Sequence, residues 1–204
     1  MFERYTEAAW RVLFFARRSR RRCSDRDDSA TLKRTNSGFD KDHRQFRWMD
    51  RGRLIIVCGL PGSGKTTLAT ALECRLQAVR FSPDDWMERL SISLYDEEMR
   101  AKIEALQWTV AQRLLSLGAI VIIEWGTWGR SERDALRLGA RALGAAVELH
   151  YLTAPADVLF DRIQRRGLEQ PPITWDALVR WFGSFEPPTR EELALFDEPL
   201  VANP

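Results

Sequence analysis

Cysteine is scarce in this sequence, and its few copies do not pair. Cys23, Cys58 and Cys74 are the three, an odd number whose spacings fit neither a zinc site nor a redox pair. A chain without a disulfide framework belongs in a reducing compartment, so a cytoplasmic protein is expected. Long apolar runs are missing too: no stretch reaches the length that spans a bilayer, and no membrane partner is expected. The N-terminus has no uninterrupted apolar core followed by a small-residue cleavage site, so secretion is not expected. Net charge is nearly absent: 31 Lys and Arg against 29 Asp and Glu give +2. That argues against a chain that binds polyanions over its whole surface. No internal repeat is visible.

What is present suits a packed core. The 204 residues are 45% hydrophobic, enough for one α/β domain with a tail. The charge is uneven, because basic residues outnumber acidic ones between Arg17 and Arg53 and leave the rest mildly acidic. Phe2, Tyr5, Ala9, Val12, Leu13 and Ala16 recur at helical spacing and predict an amphipathic helix from Phe2 to about Arg22. It ends in Arg17, Arg18, Arg20, Arg21 and Arg22, cations that suit a helix C-terminus. Ser24 to Arg47 is polar, nearly without large apolar residues, and reads as a disordered linker. The expected division is a basic N-terminal helix and linker over 1–50 and a folded domain over 51–204.

Within the domain, strand and helix patterns alternate. Leu54 to Cys58 is a continuous apolar run, as expected of a strand buried on both faces of a parallel sheet. Gly59 to Gly64 is a glycine-rich turn, and a helix is predicted from Lys65 to about Ala78 with Leu68, Leu72 and Leu76 on one face. Val79 to Ser82 predicts a brief second strand, Asp96 to Leu117 a long helix stopped by Gly118, and Ala119 to Ile123 a third strand. Ser131 is expected to cap a helix ending near Leu143, and Val147 to Leu152 predicts a fourth strand. Pro155 to Arg166 and Thr174 to Phe182 predict two more helices, and Leu200-Val201-Ala202 a short fifth strand. The alternation implies an α/β, three-layer, doubly wound parallel sheet.

One motif carries the chemistry. Gly59-Leu60-Pro61-Gly62-Ser63-Gly64-Lys65-Thr66 fits G-x-x-x-x-G-K-[ST] in full, between a buried-strand run and an amphipathic helix. Glycines let successive backbone N–H groups curl inward around phosphates, and the following helix adds the positive end of its dipole. The expectation is a P-loop binding ATP or GTP through Gly59, Pro61, Gly62, Ser63, Gly64, Lys65, Thr66 and Thr67. Lys65 is placed to reach the β- and γ-phosphates, and the Thr66 hydroxyl to ligate Mg²⁺.

Ligands in such sheets bind at the carboxyl ends of strands, where two acids stand. Asp84, with Asp85, follows the second strand. It could take a proton from an acceptor hydroxyl, or it could simply cap the helix entered through Ser82-Pro83. Glu124 ends the third strand, where an acid would hold Mg²⁺ or its waters, although an ordinary polar strand end reads the same way. Arg162, Arg165 and Arg166 precede the loop from Gly167 to Pro172 and could close over phosphates, or merely decorate a helix C-terminus. Arg130 and Arg133 could touch the acceptor or stay solvated. Trp86, Trp125 and Trp128 could wall an acceptor pocket or pack the core.

On these residues the chain resembles the P-loop kinase-like proteins that include zeta toxins, chloramphenicol phosphotransferase and the kinase domain of polynucleotide 5′-kinase. The resemblance covers about Arg53 to Asp197. It rests on Gly59–Thr67, Ser82-Pro83-Asp84-Asp85-Trp86, Val121 to Glu124 with Ser131-Glu132-Arg133, Tyr151 to Pro155, Arg162 to Gly167, and Phe185 to Thr189. It implies a fold like nucleoside monophosphate kinases, with the strands ordered second, third, first, fourth, fifth. It also implies Asp84 as general base and Arg166 as a lid arginine on the phosphates. Where polynucleotide kinases carry an acceptor-binding arginine shortly after the Asp pair, this chain has Met87, and Glu124 stands where relatives often have Asp. Both departures leave the acceptor open, and the missing arginine disfavours nucleic acid in that role. Separately, Met1 to Glu7 with Arg11-Val12 and Phe14 to Arg17 resembles the opening helix of Clp-type chaperone N-domains, over that helix alone. Met49 lies just before the first strand, where relatives commonly begin.

The leading expectation is an ATP- and Mg²⁺-dependent kinase acting on a hydroxyl of a small molecule or nucleotide, with Lys65, Asp84 and Arg166 catalytic and Thr66 and Glu124 on the metal. A nucleotide-dependent ATPase switch with a protein partner is the alternative. A toxin-type kinase acting on a cell-wall nucleotide sugar is a third.

Overall fold

A computed structural model describes residues 51–167 and 171–200. The expected N-terminal helix, the linker and the Clp-like resemblance lie outside the described residues. Four strands form the sheet: β1 (Arg53–Cys58), β2 (Val79–Phe81), β3 (Ile120–Ile123) and β4 (Ala146–Tyr151). Their order is β2-β3-β1-β4 and every pair is parallel. The register sets Ile55 beside Ile122 and Glu148, and Phe81 beside Ile123. Leu54 to Cys58 are fully buried, as the unbroken apolar run requires of a central strand covered on both faces. Of the expected fifth strand, Val201 and Ala202 lie outside the described residues, and Leu200 is not in a strand. The chain before it meets β4 through Asp197. Its N–H donates to the Val147 carbonyl at 2.8 Å, and its carboxylate accepts from the Val147 N–H at 2.7 Å.

Seven helices are described: α1 (Lys65–Leu76), α2 (Pro83–Arg89), α3 (Glu97–Ser116), α4 (Arg130–Arg141), α5 (Ala156–Arg166), α6 (Trp175–Ser184) and α7 (Arg190–Leu193). In α1, Leu68, Ala69 and Leu72 pack on Ile55, Val57 and Ile122, because their spacing of three to four residues keeps them on one face. In α3, Ile103, Gln107, Ala111 and Leu115 form the buried stripe, and the Asp96 side chain caps the helix by accepting from the Met99 N–H at 3.0 Å. A second core of Leu60, Trp128, Leu159, Ile163, Ile173, Leu178 and Phe185 joins the glycine loop to α5 and α6.

Two local readings need correction. The cap of α4 is Gly129, two residues before Ser131. Acids replace a hydroxyl there: Glu132 accepts from the Gly129 N–H at 3.2 Å, and Glu186, distant in sequence, accepts from the Arg130 N–H at 2.7 Å. Helix α7, four residues capped by Thr189, went unseen because one turn is too short to show a period.

Candidate functional site

The glycine loop leaves β1 in a conformation that side chains would block. Gly59 has φ of +145°, and a Cβ there would run into the carbonyl oxygen of Leu152. Gly64 has φ of +98°, and a Cβ there would meet nothing within 4 Å, so this corner of the loop faces open space. No side chain caps the N-terminus of α1, so its first N–H groups stay available to an anion. The Ser63 hydroxyl is buried without a hydrogen-bond partner. An open cradle, uncapped amides and an orphaned hydroxyl together fit a nucleotide phosphate. Pro61 and Gly62 are half-buried in the same loop, while Thr67 is exposed on α1.

Lys65 donates to the Leu60 carbonyl at 3.0 Å across the loop. Burial pushes its ammonium below the usual lysine range. Glu124, Asp84 and Cys58 oppose that fall, and the charge of Arg166 adds to it. Lys65 therefore feels both acids and the arginine expected from sequence. Cys58 beneath it is a core residue whose thiol burial pushes up to about 12, so it is inert.

The Thr66 hydroxyl donates to Glu124, whose other carboxylate oxygen accepts from Arg80 at 2.9 Å. Glu124 is 8% exposed. Burial pushes its carboxyl above the usual range, against the Thr66 hydrogen bond, Arg80 and Lys65. Its N–H extends the β2–β3 ladder by donating to the Phe81 carbonyl at 3.0 Å, which fixes it at the end of the sheet. Among the described residues no group of three or more His, Cys, Asp or Glu could enclose a metal. The paired oxygens of Thr66 and Glu124 fit Mg²⁺, which takes few protein ligands and completes its shell with phosphate and water.

Asp84 does not cap α2. Ser82 does, its hydroxyl accepting from the Asp85 N–H at 3.4 Å, with Pro83 at the first helical position. The Asp84 carboxylate instead lies 2.7 Å from Arg100 of α3, and Asp85 lies 2.5 Å from Arg80. Of the α5 arginines, Arg162 donates to the Gly62 carbonyl at 3.3 Å, Arg166 acts on Lys65, and Arg165 pairs with Asp161 on the surface.

Arg133 is not at the acceptor side. It is fully buried, paired through two nitrogens with Glu192 of α7 at 2.6 and 3.0 Å, and it donates to the carbonyls of Thr127 and Trp128. Arg130 lies on the exposed surface beside Asp134. The tryptophans serve packing. Trp125 donates to the Gln107 side chain at 2.9 Å, Trp128 meets Trp181 edge-on, and Trp86 meets Phe81 edge-on. Gln107, fully buried, also donates to the Ser82 carbonyl at 3.1 Å, so it ties the segment carrying Asp84 to the one carrying Glu124. Arg80, Arg100 and Gln107 were not visible as site residues in the sequence, because the contacts of Arg80 with Glu124, of Arg100 with Asp84 and of Gln107 with Ser82 and Trp125 all join different elements.

Residues 54–188 match the AAA domain family. The chain belongs to that family. It is 33% identical over 130 residues to an uncharacterised protein of Mycobacterium tuberculosis (strain H37Rv), covering 56% of this chain and 26% of that one. The chain thus spans about a quarter of the length of the mycobacterial relatives it matches. It is 27% identical over 164 residues to a probable adenylyl-sulfate kinase of Aeropyrum pernix, covering 75% of this chain and 87% of that one. The crystal structure of Chaetomium thermophilum Kti12 in complex with ADP-AlF3 shares the fold, with 22% identity, a TM-score of 0.52, and coverage of 68% and 82% of the two chains. The AAA domain here is a P-loop kinase-like nucleotide-binding domain with a parallel sheet. None of its described helices is long and apolar enough to cross a membrane.

Proposed function

We propose that residues 51–204 form a Mg²⁺- and ATP-dependent phosphotransferase that moves the γ-phosphate of ATP to a hydroxyl of a small molecule or nucleotide. One observation carries this reading: Lys65 lies within electrostatic reach of Asp84, Glu124 and Arg166, at the mouth of the sheet beside an open phosphate cradle. The backbone N–H groups of the loop from Gly62 to Thr67 would hold the phosphates. Lys65 and Arg166 would neutralise charge on the transferred group, and Thr66 and Glu124 would hold Mg²⁺, which supplies further charge neutralisation. Asp84 would accept the acceptor's hydroxyl proton as the new O–P bond forms and the bond from the γ-phosphorus to the bridging oxygen of ADP breaks. The relative named as a probable adenylyl-sulfate kinase makes a nucleotide acceptor one natural candidate.

The test is transfer of labelled γ-phosphate from ATP with Mg²⁺ to a deproteinised metabolite extract and to a 5′-hydroxyl oligonucleotide, comparing wild type with Asp84→Asn. A labelled product made by wild type, and made at least a hundredfold more slowly by a variant that still binds ATP, is the expected result. Slow phosphate release without a labelled product, unchanged in Asp84→Asn, would replace the kinase by a nucleotide-dependent switch.

A further inference from the structure

Asp84 has a neighbour that no motif supplies. Arg100 stands in the first turns of α3, with one terminal nitrogen 2.7 Å from Asp84 and donating to the Leu94 carbonyl at 3.1 Å. A guanidinium carries five N–H groups in a rigid fork. Only that one nitrogen of Arg100 is engaged; its Nε and second terminal nitrogen have no protein partner among the described residues.

The other cations nearby are committed differently. Arg80 has Nε on Glu73 and its two terminal nitrogens on Glu124 and Asp85, leaving no open nitrogen. Met87, which follows the Asp pair, is fully buried and brings no charge. Arg100 is thus the cation in direct contact with Asp84 that still has donors to offer.

Stability does not account for this pair. The Asp84 side chain is 59% exposed and that of Arg100 27%, and an ion pair so open to water contributes little to folding. Position does account for it. A hydroxyl that reaches Asp84 comes within one residue's breadth of Arg100, whose Nε and second terminal nitrogen are uncommitted. A neutral group there would leave the guanidinium unmatched, whereas an oxyanion would take two parallel N–H bonds. We infer that Arg100 is a specificity-determining residue that binds an oxyanion (phosphate, sulfate or carboxylate) carried by the acceptor. The inference rests on the phosphotransferase reading and narrows its acceptor to anionic molecules.

The experiment splits the deproteinised metabolite extract on an anion-exchange resin and supplies each fraction, with labelled ATP and Mg²⁺, to the full chain as wild type, Arg100→Gln and Arg100→Lys. Label is expected in products of the retained, anionic fraction alone. Arg100→Gln should raise the half-saturating amount of that fraction at least tenfold while leaving half-saturation by ATP and the melting temperature unchanged, and Arg100→Lys should recover part of the loss. A labelled product from the unretained fraction would overturn the inference and leave the transferase intact. So would an Arg100→Gln enzyme that saturates with the retained fraction as wild type does. Absence of label from every fraction, with ATP still bound, would instead remove the transferase reading and this inference with it.

Discussion

Glu124 is caught between two donors, the Thr66 hydroxyl and Arg80, in a buried place. Its carboxyl stands above the usual range because burial outweighs those partners. A group raised in the folded chain contributes stability that is full below its unfolded value and is lost as pH rises through the folded one. Ligand binding has the opposite sense. Mg²⁺ selects the ionised form, so the affinity of Mg²⁺ with nucleotide should rise with pH until Glu124 is fully ionised, then level off. Glu124→Gln should flatten that profile and raise the Mg²⁺ requirement about tenfold, as read by titrating binding of a fluorescent ATP analogue. Thr127 offers a different test. It has φ of +39°, unfavourable for a β-branched residue, and its hydroxyl is buried without a partner. Strain of this kind costs about 1–3 kcal/mol. Truncating a buried residue ordinarily lowers the melting temperature, but Thr127→Gly is expected to leave it unchanged or raise it.

At the scale of elements, the pair Arg133–Glu192 fastens α4 to α7 and holds the carbonyls of residues 127 and 128 beneath it. Removing one partner of a buried pair strands the other charge, a loss of roughly 3–5 kcal/mol. Glu192→Gln should therefore lower the melting temperature by about 10 °C, and the double change Arg133→Met with Glu192→Leu should recover much of it. This pair also marks where sequence reasoning stops. The central strands were legible because fully buried parallel strands leave unbroken apolar runs, as in Leu54 to Cys58 and Val121 to Ile123. Glu124 stood out as a candidate because it directly follows such a run, and Asp84 because it comes just after the brief second strand, beyond Ser82 and Pro83. Arg133 was misplaced because an arginine in the first turn of a helix looks solvated unless its partner is known, and Glu192 lies in a one-turn helix without a period. Arg80 and Arg100 escaped for the same reason: their meaning lies in pairs set by the sheet order and by the packing of α3, which local spacing does not encode.

At the largest scale described, residues 197–200 fasten onto the β4 side of the sheet. Asp197 binds the backbone of Val147 in both directions and pairs with Arg141 at 2.8 Å, and the Leu200 N–H donates to Glu148, which also holds Arg53. Burial works to raise the Asp197 carboxyl, but Arg141 and the Val147 N–H outweigh it and hold the group below its ordinary 3.8. A depressed acid contributes stability above its unfolded value and loses it as pH falls through the folded one. The segment should thus stay docked above the carboxyl's ordinary 3.8 and loosen as pH falls below it, seen as faster amide exchange at Val147, and Asp197→Asn should remove that acid step. Removal of residues 1–48 should leave phosphate transfer unchanged, measured with the same labelled ATP.

Arg80 has one consequence for the order of events. Its guanidinium already sits among Glu73, Asp85 and Glu124, so a bare Mg²⁺ approaching this corner meets a resident cation and a carboxylate that is already shared. The negative charge that makes room for a second cation has to come with the triphosphate. Metal and nucleotide should enter as a single species: calorimetry with Mg²⁺ alone should register no binding, and the same ion should bind as soon as ATP accompanies it.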